Sequence, residues 1–174
     1  MKNLNPIDQG HQVSRHVPAI CAHFMLAAAM VFISVPGVAA TKTFNLKWSH
    51  SENPKDTFSA TLKLDTDQLP NSGVVNLATT SAAFSVTVPQ LGGATYTMAD
   101  FSTFSVGMDK ADVAKALAGQ ELMGKGAVTQ VLIYGKMGGP AHKKFNACGG
   151  EFGICFNREA LGPIYKLTSM TVGK

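Results

Sequence analysis

Apolar and polar residues alternate along much of the chain after residue 40, and this pattern predicts β-strands. A strand directs successive side chains to opposite faces. Phe44, Leu46 and Trp48, for example, alternate with Asn45 and Lys47. Such alternation gives a sheet one buried face and one hydrated face, as antiparallel sheets have. Strands are predicted at residues 43–50, 57–65, 84–88, 128–135 and 152–156.

One segment departs from this alternation and predicts a short helix at residues 109–119. Asp109 can cap the first free N–H groups, and Gly119 can end the helix. Its apolar face is expected to contain Val113, Ala116 and Leu117. Turn-forming residues separate the predicted strands at positions 51–56, 70–73, 89–93 and 138–140.

Short strands that alternate with turns are typical of all-β proteins. The predicted fold is an antiparallel β-sandwich or barrel-like sheet with one short helix. Residues 41–174 contain neither a long linker nor a low-complexity segment. They are therefore interpreted as a single β-rich domain.

The first forty residues have a different pattern, which is typical of a secretory signal peptide. Lys2 and Arg15 precede an apolar run at residues 20–35, and Val38 and Ala40 end the segment. The apolar run is shorter than the about 20 residues that a membrane span needs. We therefore favour cleavage after Ala40 over an uncleaved anchor. The expected location is secreted or periplasmic, with membrane contact only through the signal peptide during export.

The charge of the chain is mildly positive and does not indicate a nucleic-acid partner. The chain has 15 basic and 11 acidic residues; Lys2, Arg15 and Asp8 lie in the predicted signal peptide, which leaves 13 and 10, a net charge of +3. The lysines are scattered, and only Lys143 and Lys144 are adjacent. Nucleic-acid-binding domains instead concentrate their positive charge in a patch or stripe.

Two cysteines, Cys148 and Cys155, remain after the predicted signal peptide, in the run CGGEFGIC. In an oxidising compartment such a pair predicts a disulfide. A redox-active dithiol usually has two residues between its cysteines, and here there are six. A zinc site would need further ligands, for which His142 is the nearby candidate.

Two groups of polar residues are weak candidates for a ligand or metal site. Asp65 and Asp67 lie two apart at the end of a predicted strand, where both carboxylates could face a cation such as calcium. His50, Glu52 and Asp56 share the first predicted turn. Turn capping and a charged hairpin tip are the structural alternatives. No cofactor is predicted.

A glycine-rich basic segment is the most unusual part of the sequence. It reads GKMGGPAHKK and contains Lys136, His142, Lys143 and Lys144. Glycine-rich backbone beside lysine can hold an anion, so this segment is a candidate loop for an acidic partner, a polysaccharide or lipid headgroups. The structural alternative is a long hairpin loop.

Exposed aromatic rings on a sheet would indicate sugar binding. The candidates are Trp48, Tyr96, Tyr134 and Tyr165. The sequence does not fix which of them face solvent, and buried rings are the commoner case.

Four stretches of the chain resemble one group of exported proteins. Phe58–Asp65, Gln68–Gly73, Ala83–Val88 and Ala94–Phe101 read FSATLKLD, QLPNSG, AFSVTV and ATYTMADF. This succession resembles exported bacterial β-rich proteins of the PEP-CTERM-associated type, in which an "sGtftlD" strand leads through an "LP" turn to strands ending in "tYtlaDl". The resemblance covers about 45 residues. It implies an exported β-rich protein and supplies no reaction or catalytic residues. Unlike that group, this sequence ends without a Pro-Glu-Pro motif or hydrophobic tail, so a periplasmic or released protein is expected.

Catalytic motifs are absent from the sequence after residue 40. Only His50 and His142 remain as imidazole bases, and there is no Gly-x-Ser-x-Gly motif. We therefore expect a non-catalytic exported β-domain that binds or packs against a cell-surface or extracellular component, such as a polymer. A small-ligand or metal-binding β-barrel and a hydrolase without a recognisable motif are the alternatives.

Cleavage of the predicted signal peptide can be tested directly. Expression of the full chain in an exporting bacterium is expected to yield a protein that begins at Thr41. Intact-mass spectrometry of the exported protein measures this. A mass that retains residues 1–40 would contradict cleavage.

Overall fold

A computed structural model describes residues 41–157 and 164–174. The predicted signal peptide lies outside the described residues. The strands are β1 Thr41–His50, β2 Thr57–Asp65, β3 Val74–Asn76, β4 Ala83–Val88, β5 Ala94–Thr97, β6 Phe101–Met108, β7 Val128–Gly135, β8 Phe145–Ala147, β9 Gly153–Phe156 and β10 Ile164–Val172. The helix α1 is Lys110–Lys115, and 3-10 turns lie at Thr66–Gln68, Leu77–Thr79, Pro89–Leu91 and Met98–Asp100.

The strands form two antiparallel sheets, which confirms the predicted fold class. The larger sheet has the order β5-β4-β2-β1-β10-β9-β8, and the smaller has the order β3-β6-β7. Together they give a curled half-barrel. β1 is the central strand, since it pairs with β2 on one side and β10 on the other along most of its length. Among the described residues, no helix has the length and hydropathy that crossing a membrane requires.

The sequence predicted β2 by alternation and β7 as an apolar strand, both with their observed bounds, and placed β1, β4 and β9 within two residues at each end. Among the strands that it did not predict are β6 and β10. In β6, three successive residues from Val106 to Met108 are buried. In β10, a register shift opposite Lys47 and Trp48 places buried Leu167 and Met170 three residues apart. Both irregularities break the period of two on which the prediction relies.

Aromatic rings fill the space between the sheets. Trp48 of β1 stacks on Phe58 of β2 with ring centroids 5.1 Å apart. Phe84 of the larger sheet contacts Phe101 and Phe104 of the smaller sheet. Each fully buried ring contributes about 1.5–3 kcal/mol through removal of apolar surface from water. The rings that connect these two groups are Phe156, Tyr165, Phe145 and Tyr96.

The helix is shorter than predicted. Asp109 caps it as expected and accepts hydrogen bonds from the backbone N–H groups of Ala111 and Asp112. The helix ends at Lys115, where Ala116 already has extended backbone angles. Leu117 was expected on the buried face, but it is 74% exposed because the chain has left the helix before reaching it.

A lysine holds the end of this helix against β1. The Nζ of Lys42 donates hydrogen bonds to the carbonyl oxygens of Val113, Ala114 and Ala116, at 2.8–2.9 Å. These carbonyls lie at or just beyond the negative C-terminal end of the helix, where intrahelical donors run out, and the carbonyl of Val113 also accepts the N–H of Ala116 at 3.3 Å. All three donors of the ammonium group are therefore used to join α1 to the larger sheet.

The predicted disulfide is present between Cys148 and Cys155, which lie in the β8–β9 hairpin with their Cα atoms 5.8 Å apart. The N–H of Cys148 donates to the carbonyl of Gly153. A side chain at Gly153 would collide with that region, because its Cβ would lie 1.8 Å from the carbonyl oxygen of Cys148. The hairpin is thus closed by both a covalent bond and a tight backbone approach.

The carboxylate of Glu121 forms hydrogen bonds at one end of β10. Its Oε1 accepts hydrogen bonds from the backbone N–H groups of Leu122, Met123 and Met170, and its Oε2 accepts the hydroxyl of Ser169 at 2.5 Å. Burial raises the pKa of Glu121, but these four donors outweigh it and hold the pKa below its ordinary value. The carboxylate therefore joins the loop before β7 to β10.

Substitution Glu121→Gln is expected to lower the free energy of unfolding by about 1–3 kcal/mol at pH 7, because one carboxylate oxygen is replaced by an amide donor. In the wild-type protein this contribution is present above the unfolded-state pKa, near 4.5, and is lost as the pH falls through the lower folded-state pKa. Urea unfolding at pH 7 and pH 3.5 measures both effects. Glu52→Gln, on an exposed turn, is the matched control, and equal losses for the two variants would contradict the assignment.

Candidate functional site

The basic loop between β7 and β8, residues 136–144, is an ordered turn. Its backbone N–H groups at Gly139, His142 and Lys144 donate to carbonyls within the loop at 3.0 Å, and the N–H of Lys136 donates to Asp100 at 2.8 Å. Ala141 is fully buried and anchors its centre. The loop is therefore held in one shape by the protein.

Close approach of the backbone fixes the start of this loop at Gly135. A Cβ placed there would lie 1.9 Å from the carbonyl oxygen of Ala141. Only glycine fits this contact without displacing the loop. The strand β7 and the far side of the loop consequently lie against each other.

A groove opens beside the loop on the smaller sheet. We call it the Tyr134 groove, and its volume is about 390 Å³. Met137, at the loop tip, is 84% exposed and lies at its edge. The polar residues that line the groove are Ser102, Thr103, Tyr134, His142, Lys143 and Asn146.

Tyr134 is the ring that suits ligand stacking. Of the four aromatic candidates, Trp48, Tyr96 and Tyr165 are at most 1% exposed, whereas Tyr134 is 41% exposed. The buried indole N–H of Trp48 and hydroxyl of Tyr96 have no hydrogen-bond partner among the described residues. Trp48 and Tyr96 are thus core residues. The free energy gained by burying each ring is larger than the cost of leaving its polar atom without a hydrogen bond.

The charge at the groove is positive. Lys136 and Lys143 are exposed, and the ion pair found among the described residues is elsewhere, between Lys110 and Asp67. No carboxylate of the described residues lines the groove. Lys144 does not contribute in the same way, because its Nζ lies 5.8 Å from the ring centroid of Tyr96, in a cation–π geometry.

Lys143 has a backbone conformation that is rare for its residue type. Its φ is 61°, in the left-handed region. Such conformations cost free energy and persist where the surrounding structure enforces them. Here the carbonyl of Lys143 also accepts the side-chain amide of Asn146 at 3.4 Å. The loop thereby holds Lys143 at the groove.

His50, Glu52 and Asp56 lie in or beside the β1–β2 turn, where the side chain of His50 supports the backbone. The Nδ1 of His50 accepts the backbone N–H groups of Glu52 and Asn53, each at 3.0 Å. A nitrogen that accepts two protein N–H groups has no lone pair left for a metal on that side. The imidazole edge of His50 also contacts the ring of Tyr165.

Asp56 joins this turn to β10 and to the turn after β4. Its Oδ2 accepts the hydroxyl of Tyr165 at 2.6 Å, and its Oδ1 accepts the side-chain amide of Gln90. These hydrogen bonds, with Tyr165 first, hold the pKa of Asp56 below its ordinary value, against the opposing effect of desolvation. Burial, together with the same hydrogen bond and the Asp56 charge, raises the pKa of Tyr165.

Asp65 and Asp67 lie at the opposite end of the β1–β2 pair. Asp65 is paired with Thr41, whereas the first turn begins beyond His50 at the far end of β1. Asp65 caps the 3-10 turn by accepting the N–H of Asp67 at 2.8 Å, and Asp67 lies 3.5 Å from the Nζ of Lys110. The structure therefore does not bring the predicted ligand residues together. No group of three metal-ligating side chains occurs in the described part of the chain.

The sequence identified the loop but not the rest of the groove. Ser102 and Thr103 come from β6, more than thirty positions earlier in the chain. Thr103 reaches Tyr134 because the two residues are paired across β6 and β7. The register of the β6–β7 pair cannot be read from any local pattern in the sequence.

Comparison with family models, with curated proteins and with solved structures gives no match for this chain. The candidate site is accordingly argued from its own geometry.

The link between Tyr165 and Asp56 can be tested by titration. Tyr165→Phe removes one donor, so the pKa of Asp56 is expected to rise towards its ordinary value of 3.8. The acid-induced loss of stability below that pH should become smaller, because less of the pKa depression remains. Carboxyl-detected NMR titration measures the pKa. Tyr134→Phe should leave it unchanged, and an unchanged pKa in Tyr165→Phe would contradict the link.

Proposed function

We propose that this protein is an exported, non-catalytic binding module and that the Tyr134 groove binds an acidic extracellular polysaccharide. The observation that carries the proposal is the combination of the exposed ring of Tyr134 with Lys143 in a groove that no carboxylate of the described residues lines. A sugar ring can pack on the face of Tyr134 while its carboxylate pairs with Lys143. Hydroxyl and amide groups of Ser102, Thr103 and Asn146 supply neutral hydrogen bonds to sugar hydroxyls.

Several features support a binding role over catalysis. Of the described residues that line the groove, His142 is the one histidine, and none is a carboxylate that could orient it or act as its partner. General acid–base catalysis of glycoside cleavage uses a pair of carboxyl groups. The ordered loop suits recognition instead, because preorganised groups lose little freedom when a ligand binds.

Export is supported by the disulfide and by the signal-like first forty residues. Disulfides persist in oxidising compartments and are rare in reducing ones. The Cys148–Cys155 bond fits the secreted or periplasmic location that the sequence predicts. An extracellular polymer would be available to the protein there.

The small-ligand alternative has less support. In the described part of the chain, the side of the half-barrel where such a ligand would lie is filled by packed rings, including fully buried Trp48 and Phe104. The metal alternative also lacks support, because His50 and Asp65 lie at opposite ends of the β1–β2 pair.

Binding can be measured with polygalacturonate as the acidic probe and dextran as the neutral control. Lys143→Asn removes the charge while keeping a residue that tolerates the left-handed conformation. Its affinity for polygalacturonate is expected to fall about tenfold, the loss expected from one charge-assisted hydrogen bond. Tyr134→Ala should weaken binding similarly.

Lys125→Asn is the matched control, since it makes the same charge change on an exposed loop outside the groove. Isothermal titration calorimetry at low and physiological salt provides the affinities. The proposal is overturned if dextran binds as tightly as polygalacturonate, or if Lys143→Asn and Lys125→Asn have the same affinity as the wild-type protein.

A further inference from the structure

The outer face of the larger sheet carries an ordered array of hydroxyl groups. Outward residues of neighbouring strands align across β5, β4, β2, β1 and β10 because their registers match. The first cross-strand row consists of Thr95, Thr87, Ser59, Lys47 and Ser169. The second row consists of Thr97, Ser85, Thr61, Asn45 and Thr171. We call these two rows the hydroxyl face.

The centre of the hydroxyl face is a shallow depression of about 550 Å³. Most of the polar side chains that line it make no hydrogen bond to another side chain or to the backbone within the described residues. Ser169 differs, because its hydroxyl is bound to Glu121, and Thr87 is bonded to Thr95. The groups that remain free for a ligand are those of Asn45, Lys47, Ser59, Thr61, Ser85 and Thr171.

The charge of this face favours an anion. Lys47 lies in the depression, and Lys63 and Lys166 point outward from β2 and β10 beside it. Two carboxylates are near its edges, and both already have donors. Asp65 caps the turn after β2, and Glu121 accepts four hydrogen bonds.

The dimensions of the face suit an extended chain. Five strands at a spacing of about 4.8 Å give rows about 19 Å long. A polymer lying along a row would meet hydroxyl, amide and ammonium groups at regular intervals. Hydroxyls both donate and accept, so they pair with sugar hydroxyls in either sense. The ammonium group of Lys47 can pair with a carboxylate of the polymer.

We propose that the hydroxyl face is a second contact surface for the acidic polysaccharide, and this inference rests on the proposed function of the Tyr134 groove. A chain that engages both surfaces gains affinity through effective concentration, without any change at either one. The two surfaces differ in chemistry. The groove offers a ring and a loop lysine, whereas the hydroxyl face offers rows of small polar side chains without an aromatic residue.

Substitutions on the hydroxyl face separate the two surfaces. Lys47→Gln removes the charge in the depression, and Thr61→Val removes a hydroxyl while keeping a β-branched side chain of similar shape. Each is expected to weaken binding of long-chain polygalacturonate by about three- to tenfold, with the larger loss for Lys47→Gln. Thr57→Val, an outward position of β2 that does not line the depression, is the matched control.

Affinities are measured by calorimetry, and amide chemical shifts locate the contact in the purified protein. The proposal is supported if Lys47→Gln weakens binding both in the wild-type background and in the Lys143→Asn background. Addition of polygalacturonate should also change the amide chemical shifts of β1, β2 and β4, in the wild-type protein and in Thr57→Val alike. If Lys143→Asn weakens binding and Lys47→Gln does not, the proposed role of the hydroxyl face is overturned, while the proposed role of the groove is kept. If Lys47→Gln weakens binding and Lys143→Asn does not, the groove is overturned as the primary binding site. Absence of polygalacturonate binding by the wild-type protein overturns both.

Discussion

The packing of aromatic rings between the two sheets is the interaction on which the rest of the structure depends. Trp48 and Phe58 stack near one end of the central strands, and Phe84 reaches across to Phe101 and Phe104 of the smaller sheet. Because both sheets place their apolar residues on this side, their other faces must be polar. The surfaces available for function are consequently the outer faces of the two sheets and the loops between their strands.

Much of the charge that looks reactive in the sequence is used to satisfy backbone groups. Lys42 donates to three helix carbonyls, Glu121 accepts three backbone N–H groups, and His50 accepts two. Unpaired backbone groups are costly when they are buried. These residues are therefore structural, and the lysines of the basic loop and of the outer face are among the charged groups that have no such role.

Sequence reasoning reached the elements whose signals are local. β2 alternates and β7 is a mainly apolar run, and the pair Cys148 and Cys155 in a chain that looks exported indicates a disulfide, so both strands and the disulfide were predicted. The strands β6 and β10 were missed because a run of buried residues and a bulge interrupt their period. The end of α1 was also misplaced, since the three hydrogen bonds from Lys42 that meet its last carbonyls come from a distant strand.

The candidate site likewise contains residues that the sequence could identify and residues that it could not. Lys136, His142 and Lys143 were identified from composition, because glycine-rich basic loops are visible in a sequence. Tyr134 could be singled out only once its exposure was known, and Thr103 only once β6 was paired with β7. The rows of the hydroxyl face likewise exist only across strands, although each strand shows its own serines and threonines. A candidate surface assembled from strand register is therefore hidden in the sequence, even though every residue that forms it can be seen there. For this protein, both candidate surfaces depend on the pairing of strands, which no local motif encodes.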